Sequence, residues 1–224
     1  MKTRRYLTAA MILVIAVGLA GCGSVVSKKW SAAFVESYDD IEYWGKYEQG
    51  EPGVGEWFMD DDGLYMSEMV FFGPYSFSGD FTMKVRFDSA ADAENPVEAI
   101  DICVSDGSGV PCSSAFGASF ENFGDPDTDA LRIMDLGGGE AAELKTEYEL
   151  PPGNGLENEL ILVKRGDNYK LDLNGRTIYD GTILRYDSDL FVPTISIRQY
   201  KVHSIIIKSV TVDYYGDAVD MGYI

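Results

Sequence analysis

The chain has 224 residues, with 18 basic side chains against 37 acidic ones, a formal charge of −19 at neutral pH and one histidine, His203. That acidity excludes nucleic acid and plain electrostatic adsorption to anionic lipid as modes of action, because both need clustered Lys and Arg. A single histidine excludes a multi-histidine zinc centre.

In chain order, Lys2, Arg4 and Arg5 precede an apolar run from Leu7 to about Leu19, closed by Leu19-Ala20-Gly21-Cys22. The run is short for a membrane span of about 20 residues, and the small residues before the cysteine fit cleavage better than an uncleaved anchor. The segment resembles the lipobox of bacterial lipoproteins. The resemblance implies a diacylglyceryl group on Cys22, loss of residues 1–21 as signal peptide, and acylation of the new N-terminus. Two or three acyl chains hold a protein stably to a bilayer where one is marginal. Gly23 and Ser24 follow the cysteine with no Asp, resembling an outer-membrane sorting signal, so the expected address is the bacterial cell envelope, facing periplasm or exterior.

Loss of residues 1–21 removes three of the 18 basic residues and none of the 37 acids, leaving 203 residues and a charge of −22. A chain of this size buries about 70% of its unfolded surface in a single core. Residues 22–29 then read as a lipidated tether and 30–224 as one folded domain. With Cys22 acylated, Cys103 and Cys112 remain, separated by eight residues rich in Gly, Ser and Pro. An exported compartment permits a bridge between them, and the alternative is two small buried thiols.

Tyr38 to Tyr47, dense in acids and aromatics and followed by the Gly50–Gly55 breaker, predicts a surface loop or edge segment. Trp57-Phe58-Met59 and Leu64-Tyr65-Met66 flank Asp60-Asp61-Asp62-Gly63 as two strands about an acidic turn. Phe81, Met83, Val85 and Phe87 alternate with Thr82, Lys84 and Arg86, the pattern of a half-buried strand. Ile100, Ile102 and Val104 predict another, with Phe116 to Phe120 beside it. Leu131, Ile133 and Leu136 mark a short strand, and Glu140 to Leu150 suits a short helix or a charged edge strand.

Glu159 to Asp180 reads as a three-stranded meander. Gly166-Asp167 and Asn174-Gly175 are turn pairs that accept positive φ, and Tyr169, Leu171 and Leu173 alternate with Lys170 and Asp172. Thr194 to Arg198 and His203 to Tyr214 close the series, the last with a bulge expected near Lys208. Ten to twelve short strands with almost no helical periodicity describe an all-β antiparallel β-sandwich or jelly roll.

The order of Glu56-Trp57, Asp62-Gly63-Leu64, Gly79-Asp80-Phe81, Asn158-Glu159-Leu160, Val163-Lys164-Arg165-Gly166, Leu173-Asn174-Gly175 and Ile205 to Val212 resembles the concanavalin A-like, laminin G-like jelly roll. Within it, the likeness is greatest to 3-keto-disaccharide hydrolases and their lectin-like relatives. The resemblance implies carbohydrate as the first ligand class to consider, held on the concave face of one sheet.

Laminarinase-like hydrolases of that fold carry E-x-D-x-E on one strand, where every second residue shares a face. Here Glu98 stands three residues before Asp101, on the opposite face, and Cys103 occupies the place of the last carboxylate, so that active site is absent. No G-x-S-x-G supplies a nucleophile elbow. Asp125, Asp127 and Asp129 have the start of a calcium loop, but Ala130 and Leu136 break the EF-hand pattern, leaving an irregular calcium site or a solvated acidic turn.

Sugars take flat aromatic faces with Asp, Asn or Arg on their hydroxyls. Tyr43, Trp44, Tyr47 and Trp57, in or beside predicted loops with Asp39 and Asp40 near, are the surface candidates. Together these features describe a lipid-anchored protein that binds carbohydrate or another envelope ligand without catalysis. The alternatives are a glycoside hydrolase or keto-sugar lyase using scattered acids, and an assembly protein that binds another protein.

Overall fold

The computed structural model describes residues 27–35, 39–48, 52–89, 97–105, 115–123, 130–134, 142–143, 157–182, 190–198 and 205–222. Cys22, Cys112, the Asp125, Asp127 and Asp129 side chains, and His203 all lie outside that set. In chain order the strands are β1 (Lys28–Ala33), β2 (Gly45–Glu48), β3 (Glu56–Asp60), β4 (Gly63–Ser67), β5 (Met69–Phe72), β6 (Tyr75–Ser78), β7 (Phe81–Ser89), β8 (Val97–Ser105) and β9 (Ala115–Phe123). They continue as β10 (Ala130–Met134), β11 (Ala142–Glu143), β12 (Glu157–Arg165), β13 (Asn168–Leu173), β14 (Arg176–Thr182), β15 (Leu190–Arg198), β16 (Ile205–Tyr214) and β17 (Ala218–Asp220). One 3₁₀ turn spans Asp39–Tyr43, and there is no α-helix among the described residues.

Two antiparallel sheets form the sandwich. The first runs β14-β13-β12-β7-β16-β4-β3, with β1 also on β16; the second runs β11-β10-β9-β8-β15-β5-β2, with β6 on β15 and β17 on β6. The seventeen strands among the described residues exceed the ten to twelve expected from sequence. The excess is in short pieces such as β5, whose four residues are all buried and therefore lack the alternation that marks a strand.

β1 begins at Lys28, so Lys28 and Lys29 pair with Tyr214 and Asp213 instead of belonging to the tether. Of the stretch from Glu140 to Leu150, Ala142 and Glu143 are described, and they pair as an edge strand with β10.

The meander forms as its turns dictate. Asn174 and Gly175 both have positive φ, and the Asn174 side chain ties the hairpin back to β12, accepting from the Glu159 amide at 2.9 Å and donating to Asn158 Oδ1 at 2.9 Å. The bulge of β16 falls between Ile207 and Ser209. There the Lys208 carbonyl accepts from the Phe34 amide at 2.9 Å. Gly63, at φ +140°, lies against this bend, where a Cβ would come within 2.6 Å of the Ile207 carbonyl oxygen.

Inward residues of both sheets merge into one core. Phe87 of β7 meets Phe120 of β9 at a ring separation of 6.2 Å, Phe81 meets Phe191 of β15 at 5.1 Å, and Phe116 meets Tyr169 of β13 at 4.8 Å. Because side chains alternate with period two, these inward aromatics fix which residues face out. Phe87→Ala is expected to cost about 3–5 kcal/mol through lost burial and a residual cavity and to lower the melting temperature by about 10 °C, measurable by thermal unfolding followed by circular dichroism.

Candidate functional site

The two outward faces differ in kind. On the first sheet, oppositely charged residues stand beside one another, diagonally across strands or two apart on one strand: Lys84–Glu159 at 3.1 Å, Arg86–Glu157 at 3.2 Å, Lys170–Asp172 at 2.6 Å and Lys208–Asp88 at 3.0 Å. Burial pushes the Glu159 carboxyl up, but hydrogen bonds and charge from Lys84 and Arg86 outweigh it and hold its pKa below the usual value. Asp172 behaves alike: desolvation opposes ionisation, and the hydrogen bonds from Lys170 and Thr177 prevail. This face is occupied by its own charge pairs.

The second sheet turns out small and polar side chains. One ladder row crosses six strands as Tyr47, Val70, Ser196, Asp101, Ser119 and Arg132. The next row holds Gly45, Phe72, Thr194, Cys103 and Gly117. Gly117 has to be glycine, since a Cβ would collide with the Ile102 carbonyl and with Cys103.

Towards the end of the strands where Ser105 and Val192 lie, this face is buried: Ser105 and Thr194 hydroxyls are 2.8 Å apart, and Val70, Phe72 and Val192 cluster with Met221 packed against them. Towards the other end Ser196 and Ser119 are still buried, but the charged residues beside them are partly exposed. There the Ser119 hydroxyl donates to Asp101 Oδ1 at 2.6 Å, Arg132 pairs with Glu121 at 2.9 Å, and Arg198 pairs with Glu98 at 3.7 Å. The Arg132 Nε is buried and has no hydrogen-bond partner among the described residues. At about 4.8 Å per strand, Tyr47 stands about 14 Å from Asp101 along the row.

The aromatic candidates do not converge. Tyr43 is 64% exposed and Tyr47 45%, and Tyr47 stands edge-on to Phe72 at 5.4 Å. Trp57, 40% exposed, sits on β3 of the first sheet, edge-on to Phe71 at 5.9 Å with the Lys46 ammonium 5.2 Å from its ring centre. Burial lowers the Lys46 pKa, against the charge of Glu42.

Trp44 corrects the sequence expectation: it is 2% exposed, packed between Trp30 at 5.9 Å and Phe34 at 5.5 Å. The 3₁₀ turn Asp39–Tyr43 turns the chain inward there, so Ile41 and Trp44 enter the core while Glu42 and Tyr43 stay outside. Arg132, Ser119 and Glu121 escape a motif search because they come from two strands and carry no fixed spacing. Their outward parity opposite Phe120, Leu131 and Ile133 is the signal that marks them.

Cys103 is buried on β8. No group of three or more His, Cys, Asp or Glu among the described residues is placed to hold a metal ion. A separate depression of about 400 Å³ lies at one end of the sandwich, lined by Gly79, Asp80, Arg165, Tyr215 and Gly216.

No protein-family model matches the sequence, and no curated protein matches it either. Solved structures do. The carbohydrate recognition domain of Emp47p aligns with a TM-score of 0.58 at 12% identity, covering 87% of this chain and 99% of that one. This is a concanavalin A-like, galectin-like jelly roll. A native glycosidic hydrolase aligns at 0.55 and 11% identity over 88% of this chain and 100% of its own. A Bacillus subtilis protein of unknown function with a galectin-like fold aligns at 0.54 and 16%, covering 87% and 100%.

The ionised state of Glu159 stabilises the fold because its folded pKa lies below the unfolded one. That contribution is present above the unfolded value of about 4.3 and is lost as pH falls through the folded value. Glu159→Gln is expected to lose up to about 1 kcal/mol at neutral pH, the scale of a partly exposed ion pair. Denaturant titrations at descending pH should show the variant and the parent protein converging once Glu159 is protonated.

Proposed function

We propose that the protein is a lipid-anchored, extracytoplasmic jelly roll that binds saccharide, without catalysis, at the partly exposed end of the outward face of its second sheet. The observation that carries this reading is the group of Asp101, Glu121 and Arg132 with the orphaned Arg132 Nε, Asp101 and Arg132 standing on the same ladder row as exposed Tyr47. A buried donor without a partner costs free energy, and a sugar hydroxyl is an acceptor of the right kind. Carboxylate and guanidinium groups bond the hydroxyls of an amphipathic ring, and an aromatic edge takes its C–H face. The Emp47p domain, named for carbohydrate recognition, supports the same ligand class.

A hydrolase reading draws on a different observation. Asp101 and Glu121 are diagonal neighbours on β8 and β9, and such a diagonal brings carboxyl groups to about 7 Å, within the range of paired glycosidase acids. Binding is favoured over hydrolysis because both groups are engaged, Asp101 by the Ser119 hydroxyl and Glu121 by Arg132.

Glycan arrays followed by calorimetry on the acylated protein in detergent are expected to find a saccharide whose affinity falls at least about ten-fold in Asp101→Asn and Arg132→Gln, the effect of losing one hydrogen bond to a charged group. Equal affinity in both variants with unchanged circular dichroism, or no saccharide bound at all, overturns the reading. Release of reducing sugar that disappears in Glu121→Gln replaces it with the hydrolase.

The anchor has its own test. Radiolabelled palmitate fed to bacteria producing the protein is expected to enter the parent chain and not Cys22→Ala. Equal labelling of both, or of neither, removes the lipoprotein assignment.

A further inference from the structure

The place where the chain enters the fold decides which end of the sandwich meets a membrane. Five residues lie between Cys22 and Lys28, the first residue of β1, so six Cα-to-Cα steps join them. Fully extended, they reach about 20 Å. Lys28 pairs with Tyr214, Tyr214 with Phe81, and Phe81 with Lys164. The entry point therefore lies at the end of the first sheet that holds the β12–β13 turn and the depression lined by Arg165 and Tyr215.

That end is built as a firm, amphipathic surface. The Lys28 ammonium donates to the Gly216 carbonyl at 3.0 Å, Lys164 to the Gly79 carbonyl at 3.3 Å, and the Tyr215 amide to the Asp80 carbonyl at 3.0 Å. The Gly166 amide donates to Asp80 Oδ1 at 2.8 Å. Arg165 is fixed by donation to the Phe81 carbonyl at 2.8 Å and to the Thr82 hydroxyl at 3.0 Å, and its guanidinium lies 5.5 Å from the Tyr215 ring centre. Tyr215 is 42% exposed, and Leu190, paired with Ser78 at the same end of the second sheet, is 40% exposed.

Tyrosine with flanking Lys and Arg is the composition that settles at a headgroup layer. In a chain of charge −22 after processing, the described residues at this end include Lys28, Lys29, Lys164 and Arg165 set against Asp80, Asp167, Asp213 and Asp217, so basic and acidic groups are intermixed there. Together these residues are repelled by a phosphate surface far less than the whole molecule is.

We infer that this end of the sandwich rests on the phospholipid surface, with headgroup phosphates against Lys28 and Arg165 and with Tyr215 and Leu190 at the level of the glycerol backbone. The inference rests on the lipid anchor proposed at Cys22. Its consequence is an orientation. β15 runs from Leu190 at this end to Arg198 at the other, about 27 Å away, so the group of Asp101, Arg132 and Arg198 faces away from the bilayer.

The test uses the acylated protein in vesicles of phosphatidylethanolamine and phosphatidylglycerol that include a phospholipid with a photoreactive headgroup. Mass spectrometry of the irradiated sample is expected to place crosslinks on Lys28, on residues 164–168 and on residues 213–217, at least ten-fold above residues 97–101 and 196–198. The triple substitution Lys28→Glu, Leu190→Ser and Tyr215→Ser, all at exposed side chains, should cut crosslinking at residues 164–168 at least five-fold while sedimentation with vesicles is unchanged. Protein that sediments with vesicles yet crosslinks evenly, or mainly at residues 97–101, overturns the docking end and leaves the anchor standing. Protein that stays in the supernatant overturns both.

Discussion

Contact between the inward aromatic rings of the two sheets governs the rest of the molecule. Phe87 on Phe120, Phe81 on Phe191 and Phe116 on Tyr169 bring the layers together, and removing this apolar area from water is the main source of stability. The same contacts set strand register, because a slip by one residue would turn every inward side chain outward. Lys84 and Arg86 face solvent because Val85 and Phe87 cannot; Asp101 and Ser119 share an outward row because Ile102 and Phe120 are held inside.

Two identical geometric constraints thus yield two chemically different surfaces. The first sheet fills its outward face with long charged side chains that satisfy one another, as between Glu159 and the Lys84 and Arg86 cations. The second carries serine, threonine, glycine and cysteine, with Arg132, Glu121 and Asp101 gathered at one end.

The ends of the sandwich are also unlike. At one, the backbone of residues 78–81, 164–166 and 215–217 is cross-linked by hydrogen bonds and receives the chain from the N-terminal side. At the other, Arg198, Glu98 and the partly exposed end of the second sheet lie together. The anchor proposed at Cys22 and the ligand group proposed on the second sheet lie at opposite ends of this polarity.

Alternation in the sequence by itself determined much of the strand set. Phe81–Phe87, Ile100–Val104 and Tyr169–Leu173 each carry an unbroken period of two, and Asn174-Gly175 admits a turn that few other pairs do, so these elements formed where local chemistry placed them. β5, buried on both faces, had no alternation to show. Trp44 could not be told from a surface aromatic, because its burial depends on Trp30 and Phe34 approaching from β1 and the residues beyond it. Tertiary structure alone decided the grouping of Asp101, Ser119 and Arg132, and of Lys28, Arg165 and Tyr215, for a shared physical reason: each set joins residues tens of positions apart through strand pairing, and pairing partners are chosen by the packed core, not by neighbouring sequence.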